Sequence, residues 1–329
     1  MIRRTNRAER SGFVVVLVLC MVIMLAVLLF GFNHRSRAEL LEVDGLRKSG
    51  QALNCATAGL NIAIAAVRDA NDIHTNRKLS SLLSGDEAIQ LVLGACSVTV
   101  AEEGGKINVN MLKDNNGGLN RSAIERLLRL IDLLNRRRLE APRISYSVVC
   151  SIIDWIDSDD RVTSLPFIQG ENLGAESDYY TALPAPCACK NDSLDATEEL
   201  LLLKGVTRDV FERMRDYITV KGDGKIDINS ASQLVIESLS EKMDPALARM
   251  IVDRRRVKPF RHVTELRDVP GMTDNIYATI SGIVTVGSGN CYYQVTSKGT
   301  FEGACCTIIA MLERNTEAKS VDVIMYKEI

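Results

Sequence analysis

The chain has 329 residues, enough for two or three modest domains, of which 25% are charged and 46% apolar. A net charge of −2, 5% aromatic residues and a single Trp argue against a broad basic or base-stacking surface for nucleic acid. Three histidines far apart in sequence (His34, His74, His262) argue against a His-rich metal or acid–base site.

In chain order, Arg3, Arg4, Arg7 and Arg10, opposed only by Glu9, precede an uncharged, proline-free run from Phe13 to Phe32. Twenty helical residues rise about 30 Å, the thickness of a bilayer core. The arginines keep the N-terminus cytoplasmic and send the rest across the membrane, although Arg35 and Arg37 on the far flank weaken the bias. A cleavable secretory signal has a shorter apolar region with a small-residue site after it. Here the small residue, Gly12, stands before the apolar run. Leu46, Leu53, Ala56, Leu60, Ala63 and Val67 then recur at three- and four-residue steps. They predict one long helix, half in the membrane and half outside, ending near Asn71–Asp72. Gly31, Gly45, Gly50 and Gly59 each weaken it by about 1 kcal/mol.

A short helical segment is expected from Asp86 to Val92, then a strand over Ser97–Val100 and a tight turn over Glu102–Gly105. The middle of the chain repeats. "ELLLLKGVTRDVFERMRDYITV" (199–220) aligns without gaps on "ELRDVPGMTDNIYATISGIVTV" (265–286), and each reads as a helical hairpin around a turn glycine. "GKINVN" (105–110) is echoed by "GKIDIN" (224–229). Ser230 with Gln233, and Asp195 with Glu198, have the spacing of capping boxes. Two β-rich runs around Ser297-Lys298-Gly299 and a final "SVDVIMYKEI" close the chain. A helical domain from about Lys113 to Val286 is therefore inserted between strands, an α+β arrangement.

Between the helix Val148–Ile156 and Tyr180 lies an acidic loop carrying Asp154, Asp157, Asp159, Asp160, Glu171, Glu176 and Asp178. So many carboxylates repel one another unless a cation neutralises them, and hard oxygen donors suit Ca²⁺. The loop is not an EF-hand: Arg161 holds the fifth position and the sixth is not Gly. A solvated acidic loop is the plainer reading. Eight of the nine cysteines lie outside the apolar run, and an exported domain could pair some of them. Cys187 and Cys189 lack the spacing of a zinc knuckle. The sequence contains no nucleophile elbow, phosphate loop or His-metal motif, so a non-catalytic role is expected.

Taken together these features resemble the general secretion pathway K family (GspK/XcpX), the large minor pseudopilins of type II secretion. "SGFVVVLV" is similar to a prepilin peptidase junction, which implies cleavage after Gly12 and N-methylation of Phe13. "GKINVN", "DWIDSDD", "GAESDYY", "KIDINSAS" and "QVTSKG" with "TIIAMLER" are similar to the family's other motifs. The resemblance implies a pilin-like fold: a long N-terminal helix packed on a small antiparallel sheet, with a large inserted all-α domain containing two hairpins. It divides the chain into a leader (1–12), a transmembrane helix (13–35), pilin-like helix and first strands (36–112), the inserted domain (113–286, acidic loop 154–180) and closing strands (287–329).

The resemblance also implies Ca²⁺ held by Asp157, Asp159, Glu176 and Asp178, with Asp160 and Glu171 next. The implied partners are other minor pseudopilins, the major pseudopilin, prepilin peptidase, an inner-membrane assembly platform and membrane lipid. The implied location is the bacterial inner membrane, with the bulk of the chain periplasmic. Most pilin-like subunits carry a Glu at the fifth mature position, where this chain has Leu17. A carboxylate buried in a filament core is costly without a cation from the subunit above, so its absence fits a tip position.

The hairpins also resemble the helix-hairpin-helix modules of ComEA-type DNA-uptake receptors, which hold phosphate on the backbone N–H groups of a Gly-x-Gly turn. Here the turns read Gly205-Val206-Thr207 and Gly271-Met272-Thr273, without the second glycine. Acidic residues also slightly outnumber basic ones over 190–286, so nucleic acid is not an expected partner.

Overall fold

The computed structural model describes residues 8–69, 88–114, 117–138, 140–287, 290–315, 318 and 320–329. Its elements, in chain order, are α1 (Ala8–Asp69), β1 (Ile89–Gln90), β2 (Ala95–Glu102), β3 (Ile107–Asn108), a 3-10 helix (Val109–Leu112), α2 (Arg121–Arg137), α3 (Ser147–Ile156) and α4 (Ser177–Thr181). A 3-10 helix (Thr197–Leu202), α5 (Arg208–Met214), β4 (Ile218–Thr219), β5 (Ile226–Asp227), α6 (Gln233–Ser238) and α7 (Pro245–Val257) follow. A last 3-10 helix (Val263–Asp268), α8 (Asp274–Ile280), β6 (Val284–Thr285), β7 (Asn290–Phe301), β8 (Ala304–Asn315) and β9 (Ser320–Glu328) complete the chain.

Two cores organise these elements. The smaller lies under α1, whose C-terminal half packs on an antiparallel sheet of order β1-β2-β7-β8-β9. The stripe on α1 is Ala52, Cys55, Ala56, Leu60, Ala63 and Val67, all buried. Leu46, expected in that stripe, is 68% exposed; at that turn it is Arg47 and Lys48 that reach the β7–β8 hairpin, at Glu302. Glycine sets how close the layers come. A Cβ on Gly299 would stand 2.0 Å from the Ala52 carbonyl oxygen, and one on Gly59 would stand 2.2 Å from Ser297 Oγ. Ser297 donates its hydroxyl to the Ala56 carbonyl across the same contact (2.7 Å).

This contact corrects the reading of two separate β-rich runs around Ser297-Lys298-Gly299. β7 runs straight through those residues, and Gly299 is there to admit the helix. The hairpin closes at Glu302-Gly303 (φ 44° and 86°), a two-residue loop whose left-handed backbone matches strand twist. The expected segment Asp86–Val92 falls partly outside the described residues; its described part pairs as β1 against β2. The expected end of α1 near Asn71–Asp72 also lies outside them.

The larger core belongs to the inserted domain, from Ile107 to Val284. It is not all helical. β3 pairs in parallel with β4 (Ile107↔Ile218), and β5 with β6 (Ile226↔Val284). The two "GKI" echoes are thus the first strands of two repeated units, and the Thr-containing ends of the hairpins are their partners. Each hairpin also starts with a 3-10 helix rather than an α-helix. The first is capped by Glu199, whose Oε1 accepts from the N–H groups of Asp195 (2.8 Å) and Ala196 (3.1 Å), not by the expected Asp195/Glu198 pair. In the second unit Ser232, rather than Ser230, caps the helix by accepting from Val235 N.

Candidate metal centre

The acidic segment hangs off α3, which is buried from Ser147 to Trp155. An apolar helix carries its last carboxylates into the interior with it: Asp154 is 0% and Asp157 5% exposed. The chain then loops out and returns. Gly174 N donates to the Thr163 carbonyl (3.1 Å), and Asn172 Nδ2 donates to the carbonyls of Leu165 (2.8 Å) and Ile168 (3.0 Å). The return brings Glu176 under α3 at 2% exposure. Trp155 and Tyr180, edge to face at 5.1 Å, lock the two limbs together. The first hairpin holds them from outside: Lys204 Nζ donates to the Gly174 carbonyl (3.1 Å) and Lys204 N to the Tyr180 hydroxyl (3.3 Å).

Carboxylate oxygens of Asp157, Asp159 and Glu176 lie within 4.8 Å of one another. Both oxygens of Glu176, Oδ1 of Asp157 and Oδ2 of Asp154 are buried without a well-formed hydrogen bond from the protein, although the Cys189 thiol lies close enough to Glu176 to pull its carboxyl down. Burial, then the charges of Asp154, Asp157 and Asp160, push the Glu176 carboxyl up to about 7. Burial raises Asp154 to about 6 against the pull of Thr163, whose N–H donates to Asp154 Oδ1 (2.8 Å). Burial also raises Asp157, while Lys113, with Nζ 3.1 Å from Oδ2, pulls the other way. Two buried carboxylates and the exposed Asp159 thus converge, with buried oxygens of Asp157 and Glu176 left without hydrogen bonds, which is what a hard divalent cation satisfies.

Of the six residues expected to bind metal, the fold therefore gathers Asp157, Asp159 and Glu176. Asp160 is close enough to raise the Glu176 carboxyl. Glu171 and Asp178 are exposed, and neither joins the three carboxylates that converge. Asp154 is an addition. It faces the backbone of Gly174, where a Cβ would stand 2.1 Å from Asp154 Oδ2. Its place inside the apolar run, two residues before Ile156, was the available sequence signal. Lys113 is a second addition, and its separation of 44 positions from Asp157 hides it from any local pattern. All nine cysteines are free thiols; burial pushes Cys150 up to about 11 and Cys189 up to about 12.

At the other end, α1 is continuous through Gly12, Phe13 and Leu17, and residues 13–32 make no protein contact that buries them. The side chain region before Phe13 lies outside the described residues. A window of this helix has a mean hydropathy of 3.5, which fits a single-pass membrane anchor.

The basic cluster on α7 is spent internally. Arg254 lies 3.7 Å from Glu265, 3.8 Å from Asp268 and over the Phe260 ring; Arg256 lies 3.4 Å from Asp253.

Residues 105–223 match the family model for type II secretion system protein K, and residues 221–285 match a helix-hairpin-helix motif. Type II secretion system protein K of Pectobacterium carotovorum subsp. carotovorum is 23% identical over 148 residues, covering 45% of this chain and 41% of that protein. Its namesake from Aeromonas hydrophila is 25% identical over 139 residues, covering 40% and 38%. The chain thus matches about two fifths of the length of these curated relatives. A chain of the GspK–GspI–GspJ complex from the enterotoxigenic Escherichia coli type 2 secretion system superposes with a TM-score of 0.62, at 19% identity, over 90% of this chain and 99% of that one. That likeness shows the shared α+β fold. Over these stretches the chain is similar to type II secretion system protein K.

Proposed function

We propose that this chain is a minor pseudopilin of type II secretion. It sits at the tip of the pseudopilus with other minor pseudopilins, starts the filament and serves protein export. Its role is architectural rather than catalytic. The observation that carries the reading is the combination of an unpartnered apolar helix end, a pilin-like sheet and the inserted domain matched by the protein K model. The E. coli relative's assembly with GspI and GspJ supports companion minor pseudopilins as partners. The anchor lies in the inner membrane with the sheet and inserted domain in the periplasm. Cleavage after Gly12 and methylation of Phe13 free the helix to enter the filament, with Leu17 facing no amine from a subunit above. Partnership is tested by purifying the tagged full chain in detergent from cells expressing the companion minor pseudopilins. Stoichiometric co-elution is expected, and its absence removes the tip assignment. Blocked processing of Gly12→Ala in cells with active prepilin peptidase tests the junction.

The acidic site holds Ca²⁺ in this reading, with Asp157, Asp159 and Glu176 as ligands and Asp160 beside them. The buried, unpartnered oxygens of Glu176 and Asp157 support it. The ion ties the loop's two limbs to each other and so stiffens the inserted domain. A rise in the Tm of the full chain in detergent on adding calcium, reversed by EDTA, is expected; no shift at saturating calcium removes the assignment. The hairpins do not favour DNA: their turns lack the second glycine, and Arg254 and Arg256 on the intervening α7 lie beside the protein's own carboxylates.

A further inference from the structure

We infer that Lys113 is the built-in counter-cation of the acidic site: it occupies one oxygen of Asp157, holds that carboxylate to the cluster as a one-oxygen ligand, and weakens divalent binding by its charge. The inference rests on the calcium reading and deepens it. Lys113 Nζ is 3.1 Å from Asp157 Oδ2, with both side chains largely out of water. The other oxygen, Oδ1, is buried and unpartnered, in a carboxylate that converges with those of Asp159 and Glu176. One oxygen is committed and the other is left for an ion.

Lys113 is also rigidly placed. It follows the 3-10 helix Val109–Leu112, whose start is pinned twice. Asn108 donates Nδ2 to the Gly222 carbonyl (2.8 Å). Asn110 donates Nδ2 to the carbonyls of Leu194 (3.0 Å) and Val220 (3.0 Å) and accepts from Leu194 N (2.9 Å). The Lys113 backbone is bridged to Leu119. With that base fixed, only the side chain's own torsions can move the ammonium, and an ammonium that keeps its contact with Asp157 is a like charge beside the bound cation.

Two consequences follow from electrostatics. Without metal, Lys113 offsets the repulsion among Asp154, Asp157, Asp159 and Glu176, so its loss destabilises the metal-free protein. With metal, a unit charge roughly 6 Å from a divalent ion costs about tenfold in affinity even at the dielectric of water. Removing it therefore tightens binding while loosening the metal-free fold. A lysine that merely packs shifts the metal-free and loaded forms alike.

The test compares the full chain in detergent with Lys113→Met and Lys113→Arg, using calcium titration calorimetry and Tm measured in EDTA and in calcium. For Lys113→Met the expected result is a calcium Kd about tenfold lower, a lower Tm in EDTA, and a larger calcium-induced shift. Lys113→Arg, which keeps the charge, should stay close to the parent in all three. If Lys113→Met folds only when calcium is present, that also supports the inference. An unchanged or weaker Kd for Lys113→Met, or equal losses of Tm in EDTA and calcium, overturns it while leaving the calcium site standing. No calcium response in the parent chain overturns both.

Discussion

The two repeated units of the inserted domain use one scaffold for different ends. In each, the second residue of the closing dipeptide pair is clamped the same way. Asn110 exchanges side-chain hydrogen bonds with the backbone of Leu194, and Asn229 does so with Phe260. Each clamp sits just before a 3-10 helix, a left-handed glycine (Gly205 at 83°, Gly271 at 88°), a Thr cap (Thr207, Thr273) and a parallel strand pair. The difference is what the clamp spans: 84 positions in the first unit against 31 in the second. Between the clamped residues the first unit carries α2, α3, the acidic segment and α4, and the second only α6 and α7. A clamp that closes a long insertion onto a short frame lets a carboxylate cluster be added without altering the frame, since loop length alone costs little.

The comparison breaks most sharply at its glycines. Gly105 and Gly224 begin the two "GKI" motifs, yet a Cβ on Gly105 would stand 2.4 Å from the backbone N of Ala231, while one on Gly224 would meet the flexible Met111 side chain at 2.8 Å. Gly105→Ala should therefore cost about 3 kcal/mol or more by forcing backbone apart. Gly224→Ala, at φ +82°, should cost about 1–2 kcal/mol. Urea unfolding of both variants measures the gap; equal losses would mean that the units do not abut at Gly105.

Metal separates the units next. Calcium at a hundred times its Kd should add about 2.7 kcal/mol, reversed by EDTA. Glu176→Gln should abolish that gain and raise Tm in EDTA at pH 7.5, because it removes a buried charge that has no partner. No substitution in the second unit should alter the calcium shift.

The clamps come third. Asn110→Ala loses three hydrogen bonds to backbone and Asn229→Ala two, for losses of about 2–3 and about 2 kcal/mol. Only Asn110→Ala should also alter the calcium-induced Tm shift, enlarging it because the base that fixes Lys113 is loosened. An altered shift in both variants would show that the second unit also supports the site.

The subtlest difference is in pH. Glu176, pushed up to about 7, and Asp154, up to about 6, keep protons in the folded protein that the unfolded chain releases near 4. The folded state then binds more protons, so metal-free stability falls as pH rises from about 4 to 7. Calcium, which favours the ionised carboxylates, should flatten that fall. A Tm in EDTA that rises over this window would contradict the burial of Glu176.

Much of this was legible in the sequence because it is local. The apolar run, the stripe on α1, the alternation of β2 and the ungapped hairpin repeat are all periodic patterns. What could not be read depends on approach between distant segments. Gly299 looks like a turn residue, and only the helix lying on it explains its missing side chain. Glu171 and Asp178 look as good as Glu176 along the chain; only the return of the loop under α3 decides which of them faces inward. The hairpin pattern suggested α-helices around Leu200 and Leu266, yet those segments wind as 3-10 turns. Asp154 and Lys113 belong to the site through contacts made across α3 and across 44 positions.

The close seating of α1 on β7 has a mechanical meaning. One helical turn advances about 5.4 Å. Sliding α1 along the sheet by that step would take Gly59 away from Ser297 and bring a side chain into a space where even one carbon stands 2.2 Å from the hydroxyl oxygen. The Ser297 hydroxyl would lose the Ala56 carbonyl in the same movement. The helix therefore has one seat and no neighbouring notch. A tug on its membrane end is passed to the sheet as a rigid lever passes a load, without slip between handle and head.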